Sequence, residues 1–260
     1  MSRNSFWLSL NSFDLKILAV IFMVIDHIGL FIDGTPVWFR YIGRLSYPLF
    51  LFCLVWSYHY THSRLWFCLR LYLMGLFMAA LRWWVEVYQW PEAGSFYNHN
   101  IFVTMLLTCL LISVIELAGQ DKLRCGLLLG GLLAVQLAFY AAPWYLLPQL
   151  RRFSGDILTA IFPNLALNEF GYEFVALGVA MYFLKTRPDK MAAVYLLFGI
   201  LLFSRELLGD MEASHQFIMV LALPFMLLYN RQKGRSWKWF FYIFYPLHVF
   251  ILFYLANFVL

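Results

Sequence analysis

Apolar runs broken by short polar segments organise this chain from its first residues to its last. A membrane-crossing helix needs about 20 mostly apolar residues. Nine segments come near that length: 14–33, 42–60, 65–89, 100–117, 124–142, 171–184, 190–208, 213–229 and 238–258. The pattern predicts an all-α fold, a polytopic helical bundle with about nine transmembrane helices. One stretch, 143–170, departs from it, because Pro143, Pro148 and Pro163 punctuate it. Proline removes a helix hydrogen bond, so this stretch reads as a loop with an interfacial helix or as a short re-entrant piece. No repeat of fixed period and no long linker is present, and residues 1–260 read as a single transmembrane domain.

The charges give the bundle an orientation. With the loops numbered from the N-terminus as zero, the even loops and their edges hold Arg3, Lys16, Arg64, Arg70, Lys122, Arg124, Lys185, Arg187, Lys190, Arg231, Lys233, Arg235 and Lys238, 13 of the 19 basic residues. The odd loops hold Arg40, Arg44, Arg82, Arg151, Arg152 and Arg205. Basic residues concentrate on the cytoplasmic side of membrane proteins, which predicts a cytoplasmic N-terminus. A tenth crossing inside 143–170 would break the alternation. Trp38, Tyr41, Trp83, Trp84, Tyr88, Trp90, Trp144, Tyr145, Trp237 and Trp239 cluster near the ends of the predicted spans, as an interfacial aromatic belt does.

Composition agrees. The chain is 63% hydrophobic and only 13% charged, against about 25% charged in average soluble domains. A soluble globule of this size has too much surface to keep so many apolar residues dry. A soluble enzyme and a nucleic-acid module are thereby disfavoured, and the net charge of +5 is assigned to the cytoplasmic loops. The start lacks a small-residue cleavage site, so 14–33 reads as a retained helix rather than a cleaved leader. Cys53, Cys68, Cys109 and Cys125 are widely spaced inside apolar runs and read as core-filling thiols, with neither a disulfide framework nor a metal site indicated. No glycine-rich phosphate loop, HExxH or GxSxG motif occurs.

Against this background, ionisable groups inside the spans carry the functional signal, because lipid makes them costly. Asp26 and His27 follow nine unbroken apolar residues in the first span. They read either as a structural pair locking the helix to a neighbour or as a general base with a carboxylate beside it. Arg44 opens the second span on the same side, after Gly43 and before Pro48. It is read as a snorkelling anchor, a partner for Asp26, or a group that binds an oxyanion or a phosphate. On that side also stand Arg82 and Glu86, spaced to pair with each other, then Asn98, His99 and Asn100, Glu169 and Glu173, and Arg205, Glu206 and Asp210. His248 sits near the middle of the last span, two residues after Pro246.

Two of these patterns resemble the TraX family. They are Leu15-Lys16, Ala19, Met23 and Asp26-His27 in the first span, and Gly43-Arg44, Pro48 and Phe50 in the second. The likeness continues loosely at Asn98 to Phe102, at Gly171-Tyr172 and at Tyr245, Pro246 and His248, whereas 143–170 has no placed counterpart and reads as a region for recognising the acceptor. The namesake of the family is associated with N-terminal acetylation of F-type conjugative pilin. The family looks like a compact relative of the transmembrane acyltransferases.

The resemblance implies a bacterial inner-membrane acetyltransferase that moves an acetyl group from cytosolic acetyl-CoA to an exported acceptor such as a pilin or fimbrial subunit. It implies catalytic roles for Asp26, His27 and Arg44. In that reading Lys122, Arg124, Lys185, Arg187 and Arg231 meet the donor's phosphates, His248, Arg205, Asn100 and Glu173 support the substrate, and no metal takes part. A proton-coupled transporter using Asp26, His27 and His248 and a non-catalytic envelope-assembly factor are the alternatives.

Overall fold

The computed structural model describes residues 9–88, 100–210 and 215–260; Arg3, Trp90, Asn98 and His99 lie outside them. Each of the nine apolar segments carries helix, and the described residues contain no strand beyond one isolated bridge between Leu10 and Tyr229. The helices are α1 (Ser12–Phe31), α2 (Trp38–Gly43), α3 (Ser46–His59), α4 (Arg64–Val87), α5 (Ile101–Ala118), α6 (Lys122–Ala141), α7 (Gly155–Ile161), α8 (Gly171–Leu184), α9 (Pro188–Leu207), α10 (Leu223–Leu227) and α11 (Lys238–Phe258). A 3-10 turn over Gln216–Ala222 leads directly into α10.

Among the described residues, four helices are long and apolar enough to cross a membrane: Arg64–Val87, Ile101–Ala118, Lys122–Leu146 and Lys238–Phe258. At 20 residues each, α1 and α9 are of similar length, but no 18-residue stretch of either holds fewer than three charges, drawn from Asp14, Lys16 and Asp26 in the one and Asp189, Lys190, Arg205 and Glu206 in the other. Gly171–Leu184 and Gln216–Leu227 are shorter apolar helices. The architecture is that of a helical membrane bundle.

The chain forms two compact units, the first made of residues 1–54, 184–256 and 260, the second of 55–183 and 257–259. In the first, α1 begins at a capping box. Asn11 Oδ1 accepts from the backbone of Phe13 and Asp14, and the Asp14 carboxylate accepts from Asn11 N–H at 3.0 Å. Three of the four amides that open the helix are satisfied this way, and the fourth, that of Ser12, finds a partner elsewhere. The segment after α10 clasps this same helix start, with Leu10 N–H donating to Leu228 O at 2.9 Å, Asn230 N–H to Leu10 O at 2.9 Å and Ser12 N–H to Gln232 O at 2.8 Å. Gly234 in left-handed backbone (φ +67°) lies where a Cβ would fall 2.1 Å from Asn11 Oδ1, so only glycine fits that turn. Further along, Ser46 Oγ donates to Ala19 O at 2.8 Å and pins the start of α3 to α1. Tyr195 of α9 donates to Met219 O at 2.6 Å.

The second unit is built around α5, with Ala79, Val103, Leu107, Ile157, Ala160 and Val175 forming one buried cluster. Here the proline-punctuated stretch resolves into two parts. A wide turn over Ala142–Leu146 and a 3-10 turn over Pro148–Arg152 expose Trp144, Tyr145 and Leu146, and Arg151 lies over the Trp144 ring at 4.5 Å while donating to Pro143 O and Trp144 O. The following helix, α7, is instead buried, and Tyr72 donates to its last carbonyl, Ile161 O, at 3.1 Å.

After α7 the backbone is irregular over 162–170, yet Asn164 and Asn168 are buried. Irregular backbone inside a membrane protein persists only where its polar groups find partners in the protein. Side-chain amides supply them. Gln136 donates to Pro163 O at 2.7 Å and accepts from Leu165 N–H at 2.9 Å. Asn164 accepts from Ala166 and Leu167. Asn168 donates to Leu165 O and Asn164 O, and accepts from Thr104 Oγ1 at 2.7 Å.

Candidate functional site

The helical period separates the two ionisable neighbours of α1. Its buried side runs through Leu15, Ala19, Met23, His27 and Phe31, every fourth residue, and so His27 faces inward. Asp26, one position earlier, lies about 100° away around the helix and faces α2. The adjacent pair read from the sequence is therefore two separate contacts.

His27 meets His248 of α11. Its Nδ1 stands 2.8 Å from His248 Nε2, and His248 Nδ1 stands 2.8 Å from Phe244 O, one turn back on the same helix. Both rings are buried. The His248 ring lies parallel to Phe244, at 8° and 5.0 Å, and Phe31 stacks beside His27 at 6.0 Å.

The chain of bonds fixes the tautomers when both rings are neutral. A carbonyl oxygen only accepts, so His248 Nδ1 carries the hydrogen and its Nε2 carries a lone pair. That lone pair accepts from Nδ1–H of His27. The remaining nitrogen of His27, Nε2, is then the basic one.

Asp26 pairs with Arg40, Nη1 to Oδ1 at 2.9 Å, and the same Nη1 donates to the Asp26 carbonyl at 3.1 Å. This sets aside the expectation that Asp26 assists the His27 imidazole and, of the three readings of Arg44, the one that makes it the ion-pair partner of Asp26. His248 takes the first role and Arg40 the second, because their helices face the respective sides of α1. Arg44 lies one turn beyond Arg40, close enough to act on the Asp26 carboxylate electrostatically. Gly43 is what lets the carboxylate in. A Cβ there would fall 2.0 Å from Asp26 Oδ1 and 2.3 Å from its Cγ. Gly43→Ala is expected to cost about 1–3 kcal/mol as an overpacked contact, read as a lowered melting temperature. Gly126→Ala, with nothing within 4 Å of its Cβ, should be neutral or stabilising.

The other residues singled out from the sequence divide between the units. Arg205 closes an ion pair with Asp210, and Glu206 pairs with His215 at 3.1 Å, whose ring lies 4.9 Å from Tyr41; all belong to the first unit. Asn100 and Glu173 belong to the second. Asn100 N–H donates to Glu169 at 2.7 Å and its side chain donates to Gly75 O at 3.0 Å, so it packs the start of α5. Glu173 stands in the first turn of α8, where a negative charge complements the helix dipole. Arg82 and Glu86 pair at 2.9 Å, as their spacing predicted. Of the basic residues assigned to the donor, Lys122 and Arg124 are exposed in the second unit, Arg124 pairing with Asp121 at 3.1 Å. Lys185, Arg187 and Arg231 belong to the first, Arg187 and Arg231 exposed and Lys185 half-buried.

Sequence reasoning missed Arg40, whose position four residues before Arg44 was the available signal. It missed as well a cluster in the second unit where Arg64 pairs with Glu116, Tyr182 donates to Glu116 at 2.7 Å, and Arg64 lies 5.0 Å from the Tyr58 ring.

A family model described as TraX protein matches residues 12–147 and 156–256. The chain is also 23% identical over 266 residues, spanning 97% of each chain, to a probable fimbrial assembly protein FimC, serogroup H1, of Dichelobacter nodosus. No solved structure matches. The family match includes 143–147 and 156–170, which corrects the expectation that all of 143–170 lacks a counterpart; only 148–155 falls outside it. With the Asp26-His27, Gly43-Arg44 and His248 positions all inside the matched residues, the chain belongs to the TraX family.

Proposed function

We propose that this protein is an inner-membrane acetyltransferase of pilus or fimbrial assembly, moving the acetyl group of acetyl-CoA to an amine or hydroxyl of an exported subunit. The observation that carries the reading is the bond chain from Phe244 O through His248 to His27, which leaves a basic imidazole nitrogen on a buried helix face. Membership of the TraX family, and similarity to a protein named for fimbrial assembly, support the acceptor class.

In the proposed reaction, the acceptor's N–H or O–H faces His27 Nε2. As the acceptor atom attacks the thioester carbonyl carbon, its proton passes to Nε2. The carbon–sulfur bond then breaks, and the proton leaves with the thiolate as free CoA. His248 holds the imidazole in the required tautomer and shares the positive charge that develops on it. Asp26, neutralised by Arg40, keeps α2 against α1 and takes no proton. In the unit that bears His27, Lys185, Arg187 and Arg231 offer exposed or half-buried positive charge for the donor's phosphates. A proton-coupled transporter is disfavoured by the end of the same bond chain, because a backbone carbonyl cannot hand a proton onward.

The test is transfer from labelled acetyl-CoA in proteoliposomes, joined to intact-mass measurement of surface pilin with and without the protein. The expected result is an added acetyl mass of about 42 Da on the subunit, dependent on His27. An unchanged mass with no label transferred would remove the reading.

A further inference from the structure

Among the described residues, the charges around Asp26 do not cancel. Arg40 and Arg44 are separated by one helical turn and both act on one carboxylate, a local excess of one positive charge. Among the described residues, Asp210 is committed to Arg205 and Glu206 to His215, while Asp33 is exposed. Arg44 is half-buried, its Nε is buried without a hydrogen-bond partner, and its guanidinium forms no ion pair among the described residues.

A guanidinium with no ion-pair partner and with its Nε shielded from water leaves charge and hydrogen-bonding capacity unmet, and more so at a membrane boundary. The half-buried side chain holds Nε inside the protein while its outer end meets no carboxylate among the described residues. The counter-charge has to come to it.

We propose that Arg44, beside the Asp26–Arg40 pair, is a receptor for a phosphate group. A phosphate suits the place for two reasons. Guanidinium binds phosphate oxygens by paired N–H donors, and two guanidinia one turn apart can share its oxygens. The short helix α2 that bears Arg40 also exposes Trp38, an interfacial residue at the level where phospholipid phosphates lie. The phosphate source is either a lipid headgroup or a soluble phosphate ester on the side opposite the basic even loops. The site does not depend on acetyl transfer.

The test is thermal unfolding of the full chain in a neutral detergent at constant ionic strength. The probes are sodium phosphate, dihexanoyl-phosphatidylglycerol and, as the phosphate-free control, dihexanoylglycerol. A phosphate-bearing probe at about ten times its Kd should raise the melting temperature by about 3–6 °C, and the control should not. Arg44→Gln should lose the response and Arg152→Gln, an exposed arginine over Phe153, should keep it.

Two more variants read the site without removing Arg44. Asp26→Asn raises the local charge and should strengthen the response. Arg40→Gln frees Asp26 to take Arg44 and should weaken it. Stabilisation by inorganic phosphate assigns a soluble ester, and stabilisation by the phosphatidylglycerol alone assigns a lipid. No response to either probe overturns the proposal, as does an Asp26→Asn response no stronger than that of the wild type.

Discussion

His27→Ala is expected to lower acetyl transfer by about 10²–10⁴-fold, the span that a positioned general base contributes. The protein should still fold, since the change removes one ring from a helix face also held by Leu15, Ala19, Met23 and Phe31. The partner ring gives the sharper experiment. His248→Gln places an amide oxygen where it can accept from His27 Nδ1–H, and should keep part of the activity. His248→Leu leaves that N–H without an acceptor and frees the imidazole to take the other tautomer, so the loss should approach that of His27→Ala. Donor KM should hold steady while kcat falls, because neither ring is placed at the donor's phosphates. Equal activity in the glutamine and leucine variants would show that His248 does not set the tautomer.

Asn168→Leu is expected to be the most destabilising single change in the second unit. The two side chains share the same branching, so leucine keeps the shape while removing every hydrogen bond, and its bulkier methyl groups add an overpacking cost. Leucine strands the carbonyls of Asn164 and Leu165 and the hydroxyl of Thr104. Each buried polar group left unpaired costs about 1–3 kcal/mol, and the three share one site, which makes the total several kcal/mol. Leu167→Asn, at an exposed neighbouring position, should barely move the melting temperature. Similar melting of the Asn168→Leu and wild-type proteins would show that water reaches this backbone and that side-chain amides do not hold it.

The helical segments were legible because lipid imposes a length and an apolar composition on any helix that crosses it, and all nine apolar segments carry helix. Asp26, His27 and Arg44 stood out for the same reason. Their partners did not, because pairing is decided by which side of α1 each neighbour covers. The separation of 221 positions between His27 and His248 leaves no local trace of a bond between them. Two signals were present and undervalued. Arg40 and Arg44 are one turn apart with glycine at 43, a spacing that offers two cations and a space on one helix side. The run Pro163-Asn164-Leu165-Ala166-Leu167-Asn168 places two amides in an apolar stretch, which is what irregular backbone away from water requires.

The clasp of the 228–232 segment onto residues 10–12 has a consequence for biogenesis. The ring that completes the candidate site lies on the helix that follows that clasp, whereas His27 lies on the first helix in the described chain. During synthesis His27 enters the membrane long before His248 exists. It waits without its partner while α2 to α10 are made, and the tautomer that would make it basic is not enforced in that interval. The clasp draws the start of α1 to the segment just ahead of α11, shortening the search of the last helix for the first. A chain stalled before residue 238 carries the conspicuous Asp26-His27 pair but lacks the ring that completes it, so under the proposed mechanism an unfinished protein is inactive.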